Sequence, residues 1–372
     1  MKYYLIAGEA SGDLHGSNLM RAILKEDPQA EFRFWGGDLM QEVGGKPVRH
    51  YKELAFMGFV EVIANLPTIL SNISFCKKDI SEFNPDAIIF IDYPGFNLRI
   101  AKWAKKQGFA THYYISPKIW AWKEGRIKSI KQSIDEMYVI LPFEKDFYEN
   151  KHQYPVHFVG NPLLDAIAAR EEISLAAFQE KHRLPNKPII AIIPGSRKQE
   201  ISKMLHVMLE LVEDYTDYHF VIAGAPGQSS EFYQKAIGNK DVSLLFGETY
   251  NLMNVAHAAL VTSGTATLEA ALFKVPEVVC YEANQISYLI AKQVVKLKYI
   301  SLVNLILDKE AVTELIQGDF NVANLKVELN KLLNPTSRSK IIADYDRLEQ
   351  VLGGEGANTN TAKLIVDSLK SK

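Results

Sequence analysis

The sequence predicts an α/β protein built from two facing Rossmann-like domains with parallel sheets, followed by a helical C-terminal segment. Three observations carry this. Short β-branched or apolar runs alternate with amphipathic helical stretches almost from end to end, as strand–helix–strand units require. The series breaks once, after Asn161-Pro162, and restarts beyond a charged, weakly apolar bridge closed by Leu184-Pro185. The length, 372 residues, suits two ordinary domains.

In the first series, Tyr3–Ala7, Phe32–Trp35, Ala87–Ile91, Thr111–Ile115 and Met137–Leu141 read as buried strands. Leu14–Lys25, Phe59–Phe83 and Leu98–Gln107 between them carry helical apolar spacing. The bridge, Ala166 to Arg183, reads as one helical stretch. Beyond it, Pro188–Ile193, His219–Ala223, Ser243–Phe246, Ala259–Val261 and Glu277–Cys280 read as strands, and the chain from about Ile300 onward as mainly helical. Gly353–Gly356 reads as a break between two late helices. The domain boundaries predicted are 1–165 and 166–340. Helices over 341–372 would pack back on the first domain or on a partner subunit.

Composition narrows the function. The formal net charge of −2 argues against whole-chain nucleic-acid binding. Cys76 and Cys280 are far apart in apolar settings, which suits two buried thiols in a reducing compartment and is too few for a cysteine metal site. The nine histidines show no H-x-x-x-H or H-E-x-x-H spacing, so no metal and no cofactor are expected. Met1–Ala7 is too short an apolar run for a signal peptide, and no stretch of eighteen apolar residues occurs. A cytoplasmic protein, or one peripheral to a membrane from that side, is the expectation.

Open parallel sheets bind ligands at the carboxyl ends of their strands. Gly8-Glu9-Ala10-Ser11-Gly12-Asp13 follows the opening strand, where Gly8, Ser11 and Gly12 allow a tight turn close to a ligand. Its spacing fits neither a dinucleotide fingerprint nor a P-loop. Asp92, in Ile91-Asp92-Tyr93-Pro94-Gly95-Phe96-Asn97, stands at the end of a strongly apolar strand, where it can act as general base toward a sugar hydroxyl. Glu9 is the rival base, and a helix cap the plainer role for Asp92. Asn97 closes that loop as a candidate substrate contact. Ser116-Pro117-Lys118-Ile119-Trp120-Ala121-Trp122 brings two tryptophans into a loop; Trp120 and Trp122 either stack on sugar or acyl groups or wedge the domains together.

The donor signals lie in the second half. Pro194-Gly195-Ser196-Arg197 leaves a strand and opens a helix, so Gly195, Ser196 and Arg197 suit a pyrophosphate. Gly224, in Gly224-Ala225-Pro226-Gly227, allows passage close to a base. Ser263, Gly264, Thr265 and Thr267 place small residues at another helix N-terminus, and Glu269, one turn in, can accept from both ribose hydroxyls. Asp344-Tyr345-Asp346 spells the D-x-D of metal-dependent sugar transferases, but mid-helix in a charged segment it reads as a solvated face.

These loops, with Leu141-Pro142-Phe143-Glu144 and Tyr299–Leu305, closely resemble those of the lipid-A-disaccharide synthases. The likeness runs in order through nearly the whole chain, and the Trp-Ala-Trp loop makes it specific. The resemblance implies a GT-B fold and an inverting transfer. The donor would be UDP-2,3-diacylglucosamine, the acceptor 2,3-diacylglucosamine 1-phosphate, and the products the disaccharide 1-phosphate and UDP. It places Asp92 at the family's essential aspartate, Arg197 at its essential arginine and Asn304 at an important asparagine. Gly95 departs from the pattern, where another aspartate is expected.

Two other readings share the architecture: a UDP-sugar epimerase of GT-B fold, and a nucleotide-sugar-binding protein without turnover. The epimerase would not need the apolar stretch Leu54–Phe75 or the tryptophan loop, and the binding protein leaves Asp92 unexplained. Acylated substrates must meet a bilayer, so that stretch is expected either to lie on an anionic inner-membrane surface, in a Gram-negative-type bacterium, or to be a buried core helix. A homodimer is admitted as a further partner.

Overall fold

Runs of β-branched and aromatic residues form the interior strands where the alternation put them. The computed structural model describes residues 1–53, 66–284 and 297–371. The chain divides into unit 1, residues 1–165 with 352–372, and unit 2, residues 166–351.

Unit 1 is a seven-stranded parallel sheet of β1 (Lys2–Ala7), β2 (Glu31–Gly36), β3 (Lys46–His50), β4 (Ala87–Ile91), β5 (Ala110–Tyr114), β6 (Glu136–Val139) and β7 (His157–Phe158). The order is β3-β2-β1-β4-β5-β6-β7. Its helices are α1 (Ala10–Glu26), α2 (Asp38–Val43), α3 (Leu66–Phe83), α4 (Pro94–Lys106), α5 (Ile127–Ser133), α6 (Pro142–Asp146) and α7 (Pro162–Ala168), with one π turn at Phe147–Lys151. Successive residues of a strand point to opposite faces, and both faces are covered. Tyr4, Ile6, Ile88 and Phe90 join one apolar layer; Tyr3, Leu5, Ile89 and Ile91 join the other. The order reverses between β1 and β4, which pair in register from Tyr3↔Ala87 to Ala7↔Ile91. That reversal sets the loops after β1 and β4 side by side at a topological switch point.

Unit 2 repeats the plan with β8 (Ile189–Ile193), β9 (His219–Gly224), β10 (Val242–Phe246), β11 (Ala256–Thr262), β12 (Glu277–Tyr281) and β13 (Thr313–Ile316), in the order β10-β9-β8-β11-β12-β13. Its helices are α8 (Leu175–His182), α9 (Lys198–Leu209), α10 (Ser230–Ile237), α11 (Thr249–Val255), α12 (Thr265–Leu272), α13 (Leu302–Leu307), α14 (Val322–Leu333) and α15 (Pro335–Val351). Here the switch point lies between β8 and β11.

The stretch beyond residue 341, taken as one segment in the sequence reading, divides between the units. After α15 the chain returns to unit 1 as α16 (Ala357–Lys370), whose Ala362, Ile365 and Val366 pack in the layer that holds Leu19, Met20 and Ile23 of α1. Asp165 fixes the return: its carboxylate accepts from the backbone N–H groups of Gly356 at 2.5 Å and Asn358 at 3.0 Å, and from Asn358 Nδ2 at 2.7 Å.

Three strands escape the sequence pattern. β3 is half-exposed and carries Lys46, Pro47 and Arg49, β7 has two residues, and β13 interrupts the segment after Ile300 that was expected to be mainly helical. The bridge is two helices rather than one, because Ser174 caps α8 by accepting from the Ala177 N–H at 3.2 Å. Of the apolar stretch Leu54–Phe75, residues 54–65 lie outside the described residues. No helix among the described residues is long and apolar enough to cross a membrane.

Candidate functional site

In unit 1 the geometry begins with strain. Asp92 and Tyr93, consecutive at the end of β4, both adopt left-handed backbone, with φ of 42° and 47°. Such a pair is unfavourable for side chains other than glycine and persists only when its surroundings hold it. Here they do. The Asp92 carbonyl accepts from Asn97 Nδ2 at 2.8 Å and from the Tyr113 hydroxyl, while the Asp92 N–H donates to the Tyr114 carbonyl at 3.1 Å. The Tyr93 ring lies over Gly8, where a Cβ would come within 2.4 Å of it. Glycine at position 8 is thus required by a side chain of the neighbouring loop.

The turn aims Asp92 into a half-buried setting beside two charges. Burial pushes its carboxyl up to about 6, the Lys118 ammonium draws it down and the Glu9 carboxylate pushes it up. A carboxyl poised there is ionised at neutral pH and basic enough to take a proton. Glu9 itself is exposed at the start of α1 and makes no side-chain cap bond. Ser11 is exposed in the first turn; Gly12 is buried, where a Cβ would meet that of Ala7 at 3.1 Å. Asp13, in the same loop, is structural: it accepts from the N–H groups of Gly37, Leu39 and Met40 and so ties α2 to α1.

Asn97 and Asn304, read from sequence as substrate contacts, both turn inward. Asn97 is fully buried, and its amide also approaches the carbonyls of Ile6 and Ile91 at 3.3 Å, bolting β1 to β4. Asn304 donates to the Val312 carbonyl at 2.8 Å and Glu314 Oε1 at 2.9 Å, and accepts from the N–H groups of Ala311 and Val312. Its side-chain hydrogen bonds are made within unit 2, where they shape the segment before β13. The two tryptophans part company. Trp120 turns in, edge-on to Phe143 at 4.8 Å, and donates to Glu144 at 3.0 Å. Trp122 stays 45% exposed, with Lys123 Nζ 4.2 Å from its ring centroid.

In unit 2, the predicted residues cluster at the carboxyl ends of β8, β9 and β11. Gly195 has φ of 100°, which lets the chain turn from β8 into α9. Ser196 and Arg197 are exposed at the start of α9; the guanidinium pairs with Glu200 at 3.0 Å. Gly224 ends β9 under the ring of Phe246, an exposed aromatic that the sequence reading passed over. Gly264 and Thr265 are exposed at the start of α12, whose first N–H groups have no acceptor within the helix. Ser263 Oγ donates to the Ile300 carbonyl at 3.3 Å. Thr267 is buried, and its hydroxyl donates to the Gly264 carbonyl at 2.9 Å, so it shapes the turn. Glu269 accepts from the Tyr250 hydroxyl at 2.6 Å, and burial raises its pKa. Tyr250 in turn lies under Arg170, 4.8 Å away; neither was found from sequence, since nothing local marks them.

Asp344 and Asp346 of the D-x-D string pair with Lys309 and Lys274 respectively, while Tyr345 between them is fully buried. Among the described residues no group of three His, Cys, Asp or Glu side chains gathers as metal ligands would.

Two parallel-sheet Rossmann-like units, each with its candidate loops at the carboxyl ends of the strands beside a switch point, define the GT-B-like class. Solved structures agree on the fold. The putative UDP-N-acetylglucosamine 2-epimerase from Listeria monocytogenes superimposes with a TM-score of 0.70 at 15% identity, covering 100% of this chain and 96% of that one. The UDP-GlcNAc 2-epimerase from Neisseria meningitidis gives 0.66 at 15% identity over 100% of both chains. At such identities the likeness is one of fold alone. Sequence relatives decide the family. A lipid-A-disaccharide synthetase family model matches residues 3–366. The lipid-A-disaccharide synthase of Geobacter metallireducens is 36% identical, covering 99% of this chain and 97% of its own, and that of Idiomarina loihiensis is 40% identical over 94% of each. The chain belongs to the lipid-A-disaccharide synthase family and is a glycosyltransferase of lipid A biosynthesis.

Proposed function

We propose that the chain joins UDP-2,3-diacylglucosamine to 2,3-diacylglucosamine 1-phosphate, with Asp92 as the base. The proton of the acceptor's primary hydroxyl passes to the Asp92 carboxylate. The freed oxygen attacks the anomeric carbon, and the bond to the β-phosphate oxygen breaks with its electron pair leaving on UDP. Unit 1 is the acceptor domain in this scheme and unit 2 the donor domain. The pyrophosphate is bound by Gly195–Arg197 and the start of α12, and the ribose hydroxyls by Glu269. The observation that carries the reading is the strained turn at Asp92, which holds a carboxyl of pKa about 6 beside a cation at a switch point. The enzyme works from the cytoplasmic side of the inner membrane, attached peripherally; Leu70 on α3, 55% exposed, supports that contact.

UDP release measured with and without the acylated acceptor tests this. Turnover should require the acceptor. Asp92→Ala should lose about 10²–10⁴-fold, the usual contribution of a positioned base. Arg197→Ala should lose at least about tenfold, from a charge-assisted contact of about 1.5–3 kcal/mol. Wild-type rates in either variant would remove that residue from the scheme, and acceptor-independent epimer formation would replace the scheme altogether.

A further inference from the structure

The Leu141-Pro142-Phe143-Glu144 motif takes no part in the chemistry above, yet Glu144 is buried with both carboxylate oxygens engaged. Its Oε1 accepts from Ser116 Oγ at 2.7 Å and from Trp120 Nε1 at 3.0 Å. Its Oε2 accepts from the N–H groups of Ile140 at 3.1 Å and Leu141 at 3.0 Å. From the π turn that follows, the Tyr148 hydroxyl reaches the Pro117 carbonyl at 3.4 Å. The turn after β6 therefore grips the tryptophan loop at Ser116, Pro117 and Trp120. Lys118, an exposed side chain with no hydrogen bond or ion pair of its own among the described residues, lies inside the gripped segment.

We propose that Glu144 is a positioning residue for the transfer: by clamping Ser116 and Trp120 it fixes the intervening Lys118 beside Asp92. The proposal rests on the reading of Asp92 as the base.

The chemistry of position 144 is restrictive. Four donors converge on one side chain, and only an ionised carboxylate offers acceptors on both sides. A glutamine could keep the Ile140 and Leu141 amides on its oxygen. Its NH₂ would then face Ser116, whose hydroxyl can rotate to accept, and the Trp120 indole N–H, which can only donate. The substitution thus breaks the bond to Trp120 while conserving shape. The groups that face Asp92 are Lys118, Glu9 and the Tyr113 hydroxyl, the last held on the Asp92 carbonyl itself. Lys118 is the one charge among them that favours the ionised carboxylate. Once it is free to wander, Asp92 should protonate at higher pH.

The test is kcat/KM against pH for wild type, Glu144→Gln, Trp120→Phe and Lys118→Met, with UDP affinity and thermal stability measured alongside. Wild type should lose activity below about pH 6, the value that burial and its neighbours give Asp92. Each variant should move that acid limb up by about one unit, the scale of a nearby opposite charge. The cost is then about tenfold below the limb and little on the alkaline plateau. UDP affinity, a property of unit 2 in this scheme, should not change. A limb that stays put in all three variants, or a loss equal at every pH, overturns the proposal. Should Glu144→Gln fail to fold, Trp120→Phe keeps the ring against Phe143 while losing the same hydrogen bond. Asp92→Asn separates the two claims. If it is inactive while the clamp variants titrate as wild type, the clamp alone is wrong; if it stays active with an unchanged limb, the base is wrong.

Discussion

The ring of Tyr93 occupies the space where any residue but glycine at position 8 would carry its Cβ. Gly8→Ala must therefore push the ring, and with it a left-handed pair whose other member is Asp92. Forcing a methyl into such a contact costs about 1–3 kcal/mol. We expect the melting temperature to fall by about 2–4 °C per kcal/mol and kcat to drop at least tenfold, roughly what a misplaced base costs. UDP affinity should hold; a variant with wild-type kcat would show that the turn tolerates the shift. The position of Asp92 at the end of β4 was legible in the sequence, because it ends a run of buried aliphatic residues. The Gly8–Tyr93 contact was not, since only strand order brings those loops together. The inward hydrogen bonds of Asn97 and Asn304 were not legible either, because their partners at the ends of β1 and β4 and before β13 are set by the fold.

Among elements, interior strands were legible and edge strands were not. β4 and β8 are buried on both faces and read as unbroken apolar runs. β3, β7 and β13 are short or half-exposed, so their sequences need not be apolar. In β13, Glu314 even serves as an acceptor for the N–H groups of Ile300 and Ser301. β12 breaks the rule from the other side. It opens with Glu277, fully buried, with no partner for either carboxyl oxygen among the described residues. Burial raises its pKa well above the usual carboxylate range, so the folded state holds it neutral. The unfolded chain ionises this group near its ordinary pKa of about 4.3. Stability is then fully present below that value and is lost as pH rises toward the folded pKa. Glu277→Gln cannot ionise, and should raise the melting temperature at neutral and alkaline pH by about 2–4 °C per kcal/mol recovered, with little gain in acid. Thermal scans of both proteins across pH decide it, and an equal shift at every pH would contradict the buried-acid account.

For the whole molecule, the proposed attachment to a bilayer is the property least readable from totals. With a net charge of −2 overall, attraction to anionic lipid has to come from local groups. Exposed Lys102, Lys106, Lys123 and Lys128 in unit 1 would supply them. Each cation near the surface contributes about 1 kcal/mol, screened by salt. In flotation with anionic liposomes the protein should rise at low salt and sink at high salt, and Leu70→Glu should weaken the association. Residues 54–65 of the apolar stretch, Phe56 and Phe59 among them, lie outside the described residues. Flotation indifferent to salt and to Leu70→Glu would place the contact elsewhere.

Because α16 completes the apolar layer over α1, the domain whose strands are translated first is also the one that must wait longest. All of unit 2 leaves the ribosome between Asp165 and the residues whose amides it caps, an interval on the order of tens of seconds at ordinary elongation rates. During that time Leu19, Met20 and Ile23 lack their partners Ala362, Ile365 and Val366, while unit 2 is encoded without interruption and is free to fold. Birth order and order of completion are thereby reversed.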